Sequence, residues 1–195
     1  MTPRAQLTGL LTRVCVVLCC LLCSPLAQAD AWARVAGHLA QPLTEGEFTQ
    51  VKHIAGLPLP LHSEGRFAIV QSVLRWQTRT PFASELRITP TEVSHWEEGI
   101  QVWQADAQAQ PMVATLAQVM LSLVAGDVDA MAHLFRVKNV SEPAPGCWQL
   151  ALQPVDALLA AHITQVHVNG CATVTGLAFT EASGDRTEIS LSPAQ

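Results

Sequence analysis

The pattern of apolar and polar side chains changes its period along the chain. Between residues 31 and 41 the apolar residues recur at helical spacing, which predicts a short amphipathic helix that ends near Pro42. From Glu47 to Trp103 apolar and polar residues alternate in short runs separated by Pro and Gly. This alternation predicts a series of short strands joined by tight turns, which is typical of an antiparallel meander. The predicted strands lie at 47–52, 65–70, 74–78, 86–89, 93–96 and 100–103, with a proline-rich loop at 56–60.

The middle of the chain has the pattern of a buried helix. Residues 111–126 contain no charged side chain. Pro111 suits the first turn of a helix, and Gly126 suits its C-terminal cap. A helix that is apolar on most of its circumference must be buried or must cover something apolar. Asp is a favoured N-cap residue, so Asp127 indicates the start of a second short helix over 128–135.

The last third of the chain returns to a strand pattern. Apolar and polar residues alternate over 148–154, and one or two helical turns are predicted over 155–162. A further strand over 163–168 leads to Asn169-Gly170, a strong hairpin signal. Two further strands are predicted at 173–180 and 187–191. The order helix, sheet, helices, sheet shows no parallel strand–helix–strand unit. The pattern therefore predicts an α+β fold, with a single curved antiparallel sheet wrapped around or capped by helices.

The first 29 residues are typical of a secretory signal. Arg4 and Arg13 precede an uncharged run over 14–22, and Ala27-Gln28-Ala29 supplies a cleavage pattern. The run is shorter than the roughly 20 apolar residues of a membrane-spanning helix. We expect cleavage after Ala29, export to the periplasm and one mature domain over 30–195. Lipidation is the alternative, although none of the three nearby cysteines follows the small residue that it favours: Cys19, Cys20 and Cys23.

The charge balance excludes several partners. Arg4 and Arg13 leave with the signal, so nine basic and sixteen acidic residues remain, a net charge of −7. Binding to nucleic acid requires clustered Lys and Arg, and none is present. The same absence argues against attachment to anionic lipid through a polybasic patch.

Cys147 and Cys171 are the two cysteines that remain in the mature chain. In an oxidising compartment two cysteines most simply form one disulfide, and that is the pairing we expect. A redox or metal pair is the rival interpretation, but the chain has no Cys-x-x-Cys. The seven histidines are dispersed, so we expect neither a metal site nor a cofactor.

Catalytic motifs are absent from the sequence. It contains no Gly-x-Ser-x-Gly, no phosphate-binding glycine loop and no His-Glu-x-x-His, so we do not expect an enzyme. The notable feature is an excess of apolar residues, which predicts either an ordinary core or a cavity that accepts an acyl chain. The residues predicted to line the cavity are Phe67, Ile69, Trp76, Leu86, Ile88, Trp96, Met112, Leu116, Met120 and Met131.

Several short motifs resemble those of the outer-membrane lipoprotein carrier family, the LolA-like proteins. The motifs are Phe48-Thr49-Gln50, Ser63-Glu64-Gly65-Arg66-Phe67, Trp76 followed by Pro81, and the run from Cys147-Trp148 to Pro154. Together these motifs span most of residues 31–192, and their order and spacing are those of the family. Residues 68–72 lack the Arg that holds the lid closed in lipoprotein-carrying members, and this departure is typical of a divergent branch.

The resemblance implies an incomplete antiparallel barrel closed by helices around a hydrophobic cavity. It implies a monomeric periplasmic carrier without catalysis or cofactor, whose cargo is an acylated lipoprotein, a glycolipid or another acylated product. Membrane-bound donor and acceptor proteins would be its partners, and the cargo would move towards the outer membrane. The alternatives are a lipid- or lipoprotein-sensing module of the same fold and, more remotely, an envelope hydrolase.

Overall fold

A computed structural model describes residues 31–37, 42–107 and 109–194, without the side chains of Met112 and Leu116. The predicted signal segment 1–29 lies outside the described residues. The strands are β1 Glu45–His53, β2 Leu61–Val70, β3 Val73–Thr80, β4 Ser84–Ile88, β5 Glu92–Glu97, β6 Ile100–Asp106, β7 Phe135–Ala144, β8 Cys147–Pro154, β9 Ile163–Gly170, β10 Val174–Glu181 and β11 Arg186–Pro193. The helices are α1 at 31–37, α2 Pro111–Ala125, α3 Val128–Leu134 and α4 Ala157–Ala160.

All eleven strands form one open antiparallel sheet, in the order β6-β5-β4-β3-β2-β1-β11-β10-β9-β8-β7. The two halves of the chain meet where β1 pairs with β11, with Phe48 opposite Leu191. Sequential neighbours pair everywhere else, as expected for a meander. The α+β prediction, with one antiparallel sheet not closed into a barrel, is confirmed.

Local sequence signals account for the boundaries of α2 and α3. Pro111 occupies the first turn of α2, and Gly126 ends the helix with φ 67°, a left-handed conformation that glycine adopts without steric cost. The Asp127 carboxylate accepts a hydrogen bond from the Ala130 amide at 3.0 Å and caps α3. Of the helix predicted at 31–41, residues 31–37 are helical, and 38–41 lie outside the described residues. Among the helices described, none is both long and apolar enough to cross a membrane.

Strand β7 is the main element that the sequence pattern did not predict. The second helix ends at Leu134, and Phe135 already belongs to the strand. Register irregularities in the pairing with β8, one after Val137 and one after Ser141, interrupt the period of two. The alternation that marks the other strands is therefore lost here.

The hairpin predicted at Asn169-Gly170 is wrong by a few residues. Gly170 is the last residue of β9, and the turn follows it over 171–173. The glycine allows a close approach instead, because a Cβ at this position would collide with the Thr173 carbonyl oxygen and would lie 2.7 Å from the ring of Trp148. Cys171 belongs to this turn rather than to a strand, and it forms the predicted disulfide with Cys147.

One face of the sheet, here the inner face, packs against the helices in two clusters of buried side chains. The Trp148 cluster joins β7–β10 to α1, α3, α4 and part of α2. The Trp76 cluster joins β1–β5 and β11 to the rest of α2. Its buried members are Leu43, Phe48, Phe67, Leu74, Ile88, Val93, Ala117, Val124 and Ile189, and Trp76 packs against them half-buried.

Candidate functional site

A small apolar cavity lies between α2 and the inner face, where the two clusters meet. Its lining comes from α2, from the segment before β1, and from β3 and β9–β11. All ten lining side chains are apolar, and they are Leu43, Trp76, Met120, Leu123, Val124, Val168, Val174, Leu177, Ile189 and Leu191.

Aromatic rings form the floor beside this cavity. The Trp76 ring stacks on Phe48 with ring centres 3.9 Å apart, and the ring of Phe67 lies 5.7 Å away on the next strand. Two glycines make room for these rings. Gly65 lies opposite Phe48 and Gly46 lies opposite Phe67. A Cβ on either glycine would collide with a backbone carbonyl oxygen, that of Gln77 or Ser192, and would also come within 2.9 or 3.1 Å of the ring that it faces. The rings can therefore lie flat against the neighbouring strand.

Helix α2 covers the cavity through apolar contacts alone. It has no charged residue and so forms no ion pair, and its N-cap residue Gln110 makes no side-chain capping bond. Val119 and Leu123 enter the Trp148 cluster, whereas Val124 and the half-buried Met120 enter the Trp76 cluster. The helix thus rests on both clusters without a directional anchor.

The cavity is closed in this structure. Its volume is about 20 Å³, close to the space of one water molecule, whereas pockets that hold a small ligand measure about 300–1,000 Å³. On the helix side the cavity is closed by Met120, Leu123 and Val124 of α2.

The inner face becomes polar near the connection between β1 and β2. The Lys52 ammonium lies 2.9 Å from a carboxylate oxygen of Glu181 and 3.8 Å from one of Asp185. Gln50 lies one position closer to the aromatic floor on the same face of β1. An amphiphilic molecule along this face would therefore meet apolar side chains at one end and charged groups at the other.

The predicted lining residues divide into several groups. Trp76 and Met120 line the cavity. Four others belong to or pack against the surrounding Trp76 cluster: Phe67, Ile69, Leu86 and Ile88. Met112 and Leu116 lie on α2, but their side chains are outside the described part of the structure.

The structure does not bring Trp96 and Met131 to the cavity, and their assignment to its lining is corrected. Trp96 pairs with Glu85 across β4 and β5, so both side chains lie on the outer face. There the guanidinium of Arg87 lies 4.0 Å from the centre of the Trp96 ring, a cation–π contact. Met131 is completely buried in the Trp148 cluster, because α3 packs against that half of the sheet.

Much of the lining came from residues that the sequence pattern did not single out. Leu177, Ile189 and Leu191 lie on strands that the alternation does predict, at 173–180 and 187–191. Their inward positions were visible in the sequence. Their proximity to Trp76 was not, since it depends on the pairing of β1 with β11 across most of the chain.

The outer face behind the Trp76 cluster carries a chain of polar contacts. Arg66 donates to Gln77 at 2.6 Å, Gln77 donates to Glu85 at 2.7 Å, and Arg87 donates to the same carboxylate. Burial raises the pKa of Glu85. The hydrogen bonds from Gln77 and Arg87 and the charges of Arg87 and Arg75 lower the pKa by a larger amount, so the net shift is downward. Wider hollows on this face are lined by charged side chains and do not suit an acyl chain.

The described residues hold no group of three or more His, Cys, Asp or Glu side chains arranged to bind a metal ion. Cys147 and Cys171 are joined to each other. The side chains around the cavity offer apolar contact rather than acid–base or metal chemistry.

Comparison with known proteins places this geometry in a family. The model of the family "Outer membrane lipoprotein carrier protein LolA" matches residues 43–195. No curated protein sequence matches this chain.

Similar solved structures include a LolA superfamily protein from Nitrosomonas europaea, with 8% identity, a TM-score of 0.45 and coverage of 86% of this chain and 94% of that one. MucB is 14% identical with a TM-score of 0.36, and the match covers 86% of this chain and 58% of that one. A putative outer membrane lipoprotein-sorting protein domain from Vibrio parahaemolyticus is 10% identical with a TM-score of 0.32. That match covers 83% of this chain and 89% of that one.

The family match extends from the residue that begins the cavity lining, Leu43, through all eleven strands. The chain therefore belongs to the outer membrane lipoprotein carrier protein LolA family, a family of carrier modules that bind lipoprotein or lipid.

Proposed function

We propose that this chain is a periplasmic carrier that binds the acyl chains of a lipoprotein or another lipid and moves them towards the outer membrane. The observation that carries the proposal is the cavity between α2 and the sheet, whose lining is entirely apolar. Burial of an acyl chain gains about 0.8 kcal/mol for each CH₂ group removed from water, so a long chain can compensate for displaced helix contacts.

The packing of α2 supports its role as a lid. Apolar contacts are non-directional, so an acyl chain can replace the contacts of Met120 and Val124 with the sheet. Gly126, in the left-handed conformation directly after the helix, offers a point about which the backbone can turn. The charged groups at Lys52 and Glu181 would then face the polar head of the cargo.

Native mass spectrometry of protein purified from the periplasm tests cargo binding. We expect a bound acylated species that is released by organic extraction. The Met120→Asp variant places a charge in the lining and should lose that species. Gln118→Asp is the matched control, since Gln118 is exposed on the same helix. Recovery of protein without any acyl species, or equal loss in both variants, would contradict the proposal.

A sensing module of the same fold would bind the same cargo but would not deliver it. Transfer of a fluorescent acyl lipid between donor and acceptor vesicles distinguishes the two functions. A carrier should raise the transfer rate in proportion to its concentration. A protein that binds the lipid but leaves the rate unchanged is a sensor.

A further inference from the structure

Exposed large apolar side chains gather at one end of the sheet. This end, here the Leu59 end, contains the connections β1–β2, β3–β4, β5–β6, β8–β9 and β10–β11, which the antiparallel order places side by side. Ten large apolar side chains are strongly exposed in the part of the chain that the structure describes. Seven of them lie at this end, and they are Leu57, Leu59, Leu61, Phe82, Ile100, Val155 and Leu158.

The opposite end has a different surface. Its turns contain Gln71-Ser72 and Thr89-Pro90-Thr91, and it carries the disulfide Cys147–Cys171. Val70, the only one of the ten strongly exposed side chains at that end, is 54% exposed. The remaining two lie on the edge strand β6. The exposed apolar side chains are thus concentrated at one end of the sheet. Apolar residues that are exposed singly and by chance would be scattered over the surface instead.

The most exposed loops of the Leu59 end also lack charge. Residues 53–63 contain no Asp, Glu, Lys or Arg, and neither do residues 80–83. Leu57, Leu59 and Leu61 alternate with Pro58 and Pro60, whose fixed φ and missing N–H favour an extended loop. Leu59 is 76% exposed, and Phe82 on the neighbouring connection is 82% exposed.

The arrangement fits a broad apolar layer better than a shaped protein partner. The seven side chains stand on four separate connections, and none of them lines any of the cavities found among the described residues. A protein interface places such side chains in a contiguous, closely complementary core. A lipid bilayer accepts protruding apolar side chains on independent loops, provided that no charge enters with them.

We propose that the Leu59 end is a membrane-docking surface, whose leucines and Phe82 insert at the boundary between lipid head groups and acyl chains. Acidic groups lie in two shorter turns of the same end, at Glu97-Glu98 and Asp185, beside the uncharged loops. These carboxylates are repelled by anionic lipid over about 10 Å at 0.1 M salt, so docking should favour zwitterionic membranes. The surface stands apart from the cavity, and the inference does not depend on the identity of the cargo.

Flotation with protein-free vesicles tests the docking surface. We expect the cargo-free protein to bind vesicles of phosphatidylethanolamine and phosphatidylcholine, and to bind less when phosphatidylglycerol is added. The double variant Leu59→Asp, Phe82→Asp should bind at least tenfold more weakly. Val70→Asp, at the opposite end, is the matched control and should bind as the wild type does.

Three results would overturn the inference. These are absence of wild-type binding to protein-free vesicles, equal loss in the control and the double variant, and binding only to vesicles that contain a membrane protein. Circular dichroism and thermal melting confirm that both variants fold. Acyl-probe affinity measured without vesicles should be unchanged in the double variant, so a failure of docking is distinguishable from a failure of cargo binding.

Discussion

The two clusters on the inner face of the sheet differ in how completely they are covered. In the Trp148 cluster fourteen of the described side chains are buried and seven apolar ones are partly buried, under α1, α3, α4 and part of α2. In the Trp76 cluster the partly buried apolar side chains are as numerous as the buried ones, and among the described helices only α2 covers them. Full burial of this kind is typical of a structural core, whereas partial cover leaves apolar surface for a ligand.

One sheet therefore combines a fixed half with an adaptable half. The disulfide and the hydrogen bond from the Trp148 indole to the Cys171 carbonyl oxygen, at 3.1 Å, hold the fixed half together. The adaptable half relies on stacked rings and on a helix without ionic anchors. Substitutions in the first should change stability, and substitutions in the second should change binding.

Leu152→Ala should have the largest effect on stability. Leu152 is completely buried in the Trp148 cluster, and truncation of such a leucine costs about 3–5 kcal/mol of unfolding free energy. Urea denaturation measures the loss, and titration with a fluorescent acyl probe should give a dissociation constant within twofold of the wild type. A large loss of affinity in the folded variant would show that the two halves are coupled.

Replacement of Cys147 and Cys171 by Ala should cost somewhat less. The cysteines lie 24 residues apart, and closure of a loop of that size stabilises the folded state by about 3 kcal/mol. Thermal melting of the variant, and of the wild type with and without reductant, measures the effect. An unchanged melting temperature would mean that packing alone fixes the Trp148 half.

Met120→Ala applies a similar truncation to the adaptable half. Met120 is half-buried, so we expect a stability loss of only about 1 kcal/mol. The same lost contact should weaken the acyl probe about fivefold. In free energy the two losses should therefore be similar, whereas Leu152→Ala should lose far more stability than affinity. If Met120→Ala destabilised the protein as strongly as Leu152→Ala, the lining of the cavity would be plain core.

Glu85→Gln should give the smallest effect, and it should depend on pH. The pKa of Glu85 is lowered in the folded state, so its carboxylate contributes stability above the ordinary pKa and loses that contribution as the pH falls through the folded value. We expect a difference from the wild type of about 0.5–1 kcal/mol at neutral pH. Unfolding curves at neutral and acid pH should converge at low pH, and a constant difference would contradict the assignment.

The sequence pattern predicted what depends on local signals. The charge-free run with Pro111 and Gly126 defined α2 to within a residue, and Asp127 defined the start of α3. Strand β7 was missed because its bulges break the alternation. The hairpin at Asn169-Gly170 was misplaced because close packing on Trp148 uses that glycine.

The candidate site was less predictable because it depends on long-range pairing. Trp76 and Met120 could be selected from their strand and helix positions. Leu177 and Ile189 come close to them only through the pairing of β1 with β11, which no local pattern encodes. Trp96 was placed on the wrong face because the choice of face needs the register with β4.

Quenching of tryptophan fluorescence by a brominated fatty acid reports where the acyl chain lies in the protein. Trp76 lines the cavity, whereas Trp148 is 1% exposed in the other cluster. The quenched part of the emission should disappear in Trp76→Phe and persist in Trp148→Phe, with both variants still binding the acid. Quenching that persists in Trp76→Phe, or that disappears in Trp148→Phe, would contradict binding of the acyl chain between α2 and the sheet.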